Sequence, residues 1–86
     1  MNIKIFSMDG KQFFGSQQLF LTRVGKVEVS TVLLPRYEGD PEKYETCLFH
    51  DDGTSDVVRS YRGYTDAQYG HMQTVNVLGF AKDRGI

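Results

Sequence analysis

The residues of this chain best able to do chemistry lie near its middle, in His50-Asp51-Asp52-Gly53-Thr54, with Cys47 just before them and Asp56 just after. Two aspartates one residue apart, followed by Gly-Thr, serve phosphoryl transfer. The first carboxylate attacks phosphorus, the second handles the proton and a metal bridges them. Here histidine holds the nucleophile's position, and 86 residues cannot house the large parallel α/β fold that carries such sites. The simpler reading is a corner, because Asp52-Gly53 between two β-type runs is a strong hairpin signal. Asp51, Asp52 and Asp56 could gather around a divalent ion, but no glutamate closes an EF-hand-like loop, and they read as solvated carboxylates. Cys47 could form a thiolate–imidazole pair with His50 or His71, yet a lone cysteine in a strand is more often a small buried hydrophobe. His71 falls on an apolar helical stripe, where a hydrogen-bonded packing histidine is the commoner role. We therefore expect no catalytic residue, no metal and no cofactor, and a protein that is not an enzyme.

A second constellation, Arg59-Ser-Tyr61-Arg62-Gly-Tyr64-Thr65, places arginines and tyrosines just before a helix start. Free N–H groups at a helix N-terminus attract anions, arginine grips phosphate in a fork, and tyrosine can stack on a base. Arg59, Tyr61, Arg62, Tyr64 and Thr65 are thus candidate ligand-binding residues for an anionic, nucleotide-like molecule. Arg36 and Tyr37 are a second such place. The alternative is a solvated connection with Arg59 and Arg62 exposed and both tyrosines half-buried.

These residues must be positioned by short strands. Asp9-Gly10, Gly15-Ser16, Gly25-Lys26, the Pro35–Pro41 loop and Asp52-Gly53 punctuate the first two thirds of the chain, as hairpin-connected strands require. The runs between them predict strands at Ile3–Phe6, Leu19–Val24, Lys26–Leu34, Lys43–His50 and Ser55–Tyr61, with a short addition at Lys11–Phe14. Alternation puts Val27, Val29, Thr31 and Leu33 on one face of a central strand. Thr65-Asp-Ala-Gln68 has the form of a capping box, and Ala67, His71, Val75 and Leu78 follow at helical spacing, with Gly70 allowing a close approach to a sheet. The expectation is an α+β single domain over residues 1–86: β-rich through 62 with about five antiparallel strands, one C-terminal helix at about 65–79 packed on one sheet face, and a tail at 80–86.

Composition narrows the class. The chain is 40% hydrophobic and 24% charged, which suits a folded domain. A domain of this size buries only about 60% of its unfolded surface, so self-association would help it. Lys and Arg total 10 against 11 Asp and Glu, giving no strong nucleic-acid signal. A single cysteine excludes an internal disulfide. No run is long enough to span a membrane, and the start MNIKIFSMDGKQ lacks the apolar stretch of an export signal, so the expected location is cytoplasmic. Phe13, Phe14, Leu19, Phe20 and Leu21 exceed what one short helix covers, which predicts a homo-oligomer.

Val29-Ser30-Thr31-Val32, Tyr44-Glu45-Thr46-Cys47-Leu48-Phe49, Arg59-Ser60-Tyr61 and Ala67-Gln68-Tyr69-Gly70-His71 follow one another in an order that resembles a group of small phage and prophage proteins. Over somewhat more than half of this chain, that group shares a Val-Ser-Thr-Val strand, a Glu-Thr strand ending in Phe, an Arg-Tyr segment and a helix with Ala-x-x-Gly-His. Where the group commonly carries Leu-Gly-x-Asp-His, this chain has Leu33-Leu34-Pro35-Arg36-Tyr37. The resemblance implies a phage or mobile-element origin and a place in the host cytoplasm. Phage proteins of this size often act in counter-defence, which suggests a non-catalytic accessory protein that sequesters a nucleotide-like signal or blocks a host defence protein. The alternatives are an assembly module that builds homo-oligomers or a virion-associated complex, and a small hydrolase, which lacks a convincing nucleophile and base.

Overall fold

The alternating apolar run Val27–Leu33 becomes the strand its pattern predicts, and three others align with it. The structure, a computed structural model, describes residues 5–6 and 10–83. Strands β3 (Gln17–Val24), β4 (Val27–Leu33), β6 (Tyr44–His50) and β7 (Ser55–Tyr61) form an antiparallel sheet in the order β3-β4-β6-β7. Helix α1 (Tyr64–Asp83) packs across one face of it. The fold is α+β with antiparallel sheets and one C-terminal helix among the described residues.

The strand count differs from the expectation of about five, since the described residues contain seven. A second sheet, ordered β1-β2-β5, joins β1 (Ile5–Phe6), β2 (Gln12–Phe14) and β5 (Arg36–Tyr37). Its strands lie against one another and against neither the larger sheet nor α1. Two residues at Arg36–Tyr37 are too few to leave a periodic signal, and they pair only because Phe14 and Phe13 stand opposite. The expected residues Ile3 and Lys4 of the first strand lie outside the described residues, as do 84–86 of the expected tail.

Register fixes the two faces of the larger sheet. Phe20 pairs with Thr31 and Thr46 with Arg59, while Thr31 also pairs with Thr46, so these residues cross the sheet in one row. They lie on the helix side, as the contacts of Thr31 with His71 and Phe20 with His71 show. On the opposite face the row is Leu21, Ser30, Cys47 and Val57, with Arg23, Glu28, Phe49 and Ser55 next to it.

The helix begins at Tyr64, one residue before the expected range, and its cap lies two residues before the Thr65 of the capping-box reading. Gly63 supplies the carbonyl that Ala67 N–H donates to at 3.0 Å, making Gly63 the cap and moving Thr65 into the first turn. The helix also passes Gly79, one of the two expected stops, and ends at Asp83 within the GFAKDRGI tail, the other. Glycine costs about 1 kcal/mol inside a helix, but the last turn has neighbours on the sheet: Leu78, Ala81 and Lys82 line one cavity with Val24, Gly25 and Val27, and a Cβ added to Gly25 would meet the Lys82 stem at 3.5 Å.

Candidate functional site

Four of the polar residues singled out in the sequence meet under the helix, in a chain of bonds. His71 is 5% exposed, with Nε2 at 2.9 Å from Thr22 Oγ1 and Nδ1 at 2.8 Å from Thr31 Oγ1. Thr31 Oγ1 lies 2.6 Å from Thr46 Oγ1, which lies 3.1 Å from the Tyr61 hydroxyl. A neutral imidazole has one donor and one acceptor nitrogen, and each hydroxyl can donate once, so the whole chain can be satisfied in either direction. Four links use four of the five available protons, so one terminal hydroxyl proton, that of Tyr61 or of Thr22, is not used within the chain. Beside it, Ala67 is fully buried and Gly70 lies directly on the Tyr61 ring, so closely that no Cβ fits between them. The threonine of Val-Ser-Thr-Val, the threonine of Glu-Thr, the tyrosine of Arg-Ser-Tyr and the Ala-x-x-Gly-His residues are thus one helix–sheet joint.

Burial also makes this joint sensitive to acid. It lowers the His71 pKa below the usual imidazole value, because the charged form loses its water. The unfolded chain therefore takes up a proton at about pH 6.5, and the folded chain only at lower pH. The unfolded state binds more protons in that window, so stability falls as the pH drops below about 6.5 and levels off below the folded pKa. Urea melts at pH 7.5 and about pH 5 should show that loss, and His71→Gln should flatten the part that His71 causes. Equal pH dependence in the two proteins would place the titration elsewhere.

The Asp52-Gly53 corner is the tip of the β6–β7 hairpin. Gly53 N–H donates to the His50 carbonyl at 3.0 Å, His50 N–H donates to the Thr54 carbonyl at 2.9 Å, and Gly53 holds φ at 88°. Asp52 Oδ1 accepts from the Thr54 hydroxyl at 2.6 Å and its N–H at 2.9 Å, and these bonds hold the carboxyl below the usual range. The three carboxylates have different partners: Asp51 meets Arg23 at 3.3 Å, Asp56 meets His50 at 2.9 Å, and Asp52 holds the turn. Among the described residues no three His, Cys, Asp or Glu are grouped to hold a metal ion. Cys47 lies on the sheet face away from His71. Burial first, then its contact with Glu45 at 3.6 Å, pushes its thiol pKa up, away from the thiolate.

The arginine–tyrosine segment does not converge as one cradle. Tyr61 is 8% exposed and belongs to the joint: alternation turns it under the helix, opposite Tyr44. Arg59 Nη1 donates to Gln73 Oε1 at 2.8 Å, and its guanidinium lies 5.7 Å from the Tyr61 ring centre. It lines an open groove of about 720 Å³ between β7 and α1, with Leu48, Val58, Tyr69, Met72 and Val77. Arg62 and Thr65 are exposed at the helix start, and the half-exposed Tyr64 ring packs on Phe20 and Tyr44. Arg36 and Tyr37 sit apart in the small sheet. Arg36 is occupied there by Glu42 at 3.5 Å, the Asp40 carbonyl at 3.2 Å and the Phe14 ring at 5.0 Å. Tyr37 packs on Phe13, with ring centres 5.1 Å apart.

A surface that motif reading passed over is the sheet face without a helix. Leu21, Phe49 and Val57 are each about half exposed there, next to Cys47. Charged pairs Arg23–Glu28 and Arg23–Asp51 border one end, and Gln18, Glu45 and Ser60 the other. Ser30 stands between Leu21 and Cys47, and Phe49 shares its row with Arg23, Glu28 and Ser55, so exposed apolar side chains alternate with polar ones across this face. Alternation of Leu21 with Phe20 and Thr22 carried the signal for it.

Compared with protein families, curated proteins and solved structures, the chain matches none of them. Among the described residues no helix is long and apolar enough to cross a membrane.

Proposed function

We propose that this chain is a phage-type accessory protein that acts without catalysis, by binding, and that its target is a protein such as a component of host defence. The observation that supports this reading most is the uncovered sheet face. Leu21 and Val57 lie in one row on the outer strands, Phe49 stands one pair further along β6, and all three are exposed. A monomer that leaves such a patch in water gains by covering it. The groups that chemistry would need are spent on structure: His71 on two threonines, Asp52 on its turn, Asp56 on His50. The resemblance to phage and prophage proteins supplies the biological setting.

Sequestration of an anionic, nucleotide-like ligand is the second reading. It is favoured by Arg59 in the groove wall and by Arg62 beside the open first turn of α1. Co-purification with mass spectrometry, paired with thermal shift against cyclic nucleotides, separates the two. A stoichiometric protein partner lost in Phe49→Lys and kept in Arg59→Ala and Arg62→Ala supports the first. Nucleotide stabilisation abolished by Arg59→Ala or Arg62→Ala, and untouched by Phe49→Lys, supports the second.

A further inference from the structure

The outward side of α1 lacks what an outward side normally has. From Ala67 to Ala81 the helix contains no Asp, Glu, Lys or Arg, and Tyr69, Met72, Val77 and Phe80 are each more than half exposed. A helix lying on a sheet usually turns charges to water. Here Tyr69, Gln73, Asn76 and Phe80 recur at intervals of four, three and four, which is the spacing of a helix–helix seam, with Met72 and Val77 on its two flanks.

The order of residue types along this seam is a palindrome: aromatic, amide, amide, aromatic. In an antiparallel pair related by a two-fold axis between Thr74 and Val75, Tyr69 of one copy faces Phe80 of the other, and Gln73 faces Asn76. A two-fold interface must be complementary to itself, and this sequence of types is. Sliding the copies by one turn sets aromatic rings against amides, so the pattern also selects the register. Gln73 accepts the Arg59 bond through Oε1, which leaves its Nε2 to donate to Asn76 of the second copy. The groove beside the seam shares Tyr69, Met72, Gln73, Asn76 and Val77 with it, so both form one continuous surface.

We infer that α1 is the self-association surface, and that two copies pair antiparallel through Tyr69, Gln73, Asn76 and Phe80. The pairing lies on the opposite side of the molecule from the uncovered sheet face, so the dimer presents two such faces outward. Of the residues behind the expected oligomer, Leu21 stays exposed on the uncovered sheet face, and the helix adds exposed apolar side chains which that expectation did not count. The Phe13 and Phe20 rings pack within the chain, on Tyr37 and on Tyr64 and His71.

Sedimentation velocity of the full chain at micromolar concentration tests this. The expected result is a dimer that Tyr69→Lys and Phe80→Glu each weaken at least about tenfold, with Val77→Lys on the flank acting likewise and circular dichroism unchanged. The double variant Tyr69→Lys/Phe80→Glu sets the new ammonium against the new carboxylate across the two-fold axis and should regain the dimer. A monomeric wild-type chain overturns the proposal, as does a dimer indifferent to both single changes. A double variant no better than the singles overturns the antiparallel register.

Discussion

Gly70→Ala should lower the melting temperature by about 12–24 °C, from a destabilisation of about 3 kcal/mol at the upper end of the overpacking range. Gly70 is buried where α1 crosses β7, and the Tyr61 ring occupies the volume a methyl group would need. The ring cannot swing away cheaply, because it is almost wholly buried and its hydroxyl is bonded with Thr46. The helix must lift instead, and lifting it stretches the His71 bonds one residue further on. Total stability for a domain of this size is roughly 4–13 kcal/mol, so the loss is a large fraction of it. Thermal melts of the single and double variants check the mechanism. Tyr61→Val in the Gly70→Ala background should recover part of the loss, whereas simple addition of the two costs would mean that the two residues do not share the space.

His71→Ala should cost a similar amount, about 3 kcal/mol, by a different route. It empties a buried volume and leaves the hydroxyls of Thr22 and Thr31 without their ring partner. Thr31 keeps its bond with Thr46, which limits the damage, and Thr22 is only partly buried and can turn to water. Chemical denaturation measures this directly. A histidine acting as a base would behave in the opposite way, since its removal relieves a constraint and leaves the melting point unchanged or higher. His71→Ala with undiminished stability would therefore reopen a chemical role for this residue.

Both effects come from motifs that the sequence showed as separate short matches. Val-Ser-Thr-Val could be read as a central strand, and Ala-x-x-Gly-His as a helix face, because period two and period 3.6 are local properties. Their meeting was not legible, since pairing Thr31 with Thr46 and setting His71 above both depends on register across four strands. The hairpin at Asp52-Gly53 was readable because turn chemistry lies in the turn residues, although only Gly53 adopts positive φ. The helix start was misplaced by one capping choice: Gly63 has no side chain to announce a cap, whereas Thr65 offers an oxygen that sits inside the first turn. The placement of the arginine–tyrosine segment was hidden for the same reason as the joint. Arg59, Tyr61, Arg62 and Tyr64 are neighbours in sequence, but strand alternation and the turn into α1 send Tyr61 inward, Arg59 along the sheet to Gln73, and Arg62 into water.

The central claim is that this chain works through a surface, with its polar motifs reserved for holding the helix to the sheet. Native mass spectrometry of the tagged protein isolated from cells that express it tests it most directly, using the wild type, Phe49→Lys and Leu21→Lys. Both substitutions fall on side chains that are about half exposed, so all three proteins should melt alike. The account predicts a stoichiometric complex with the wild type that both variants lose. A complex retained by both variants, or turnover of a substrate by the purified chain, would contradict it.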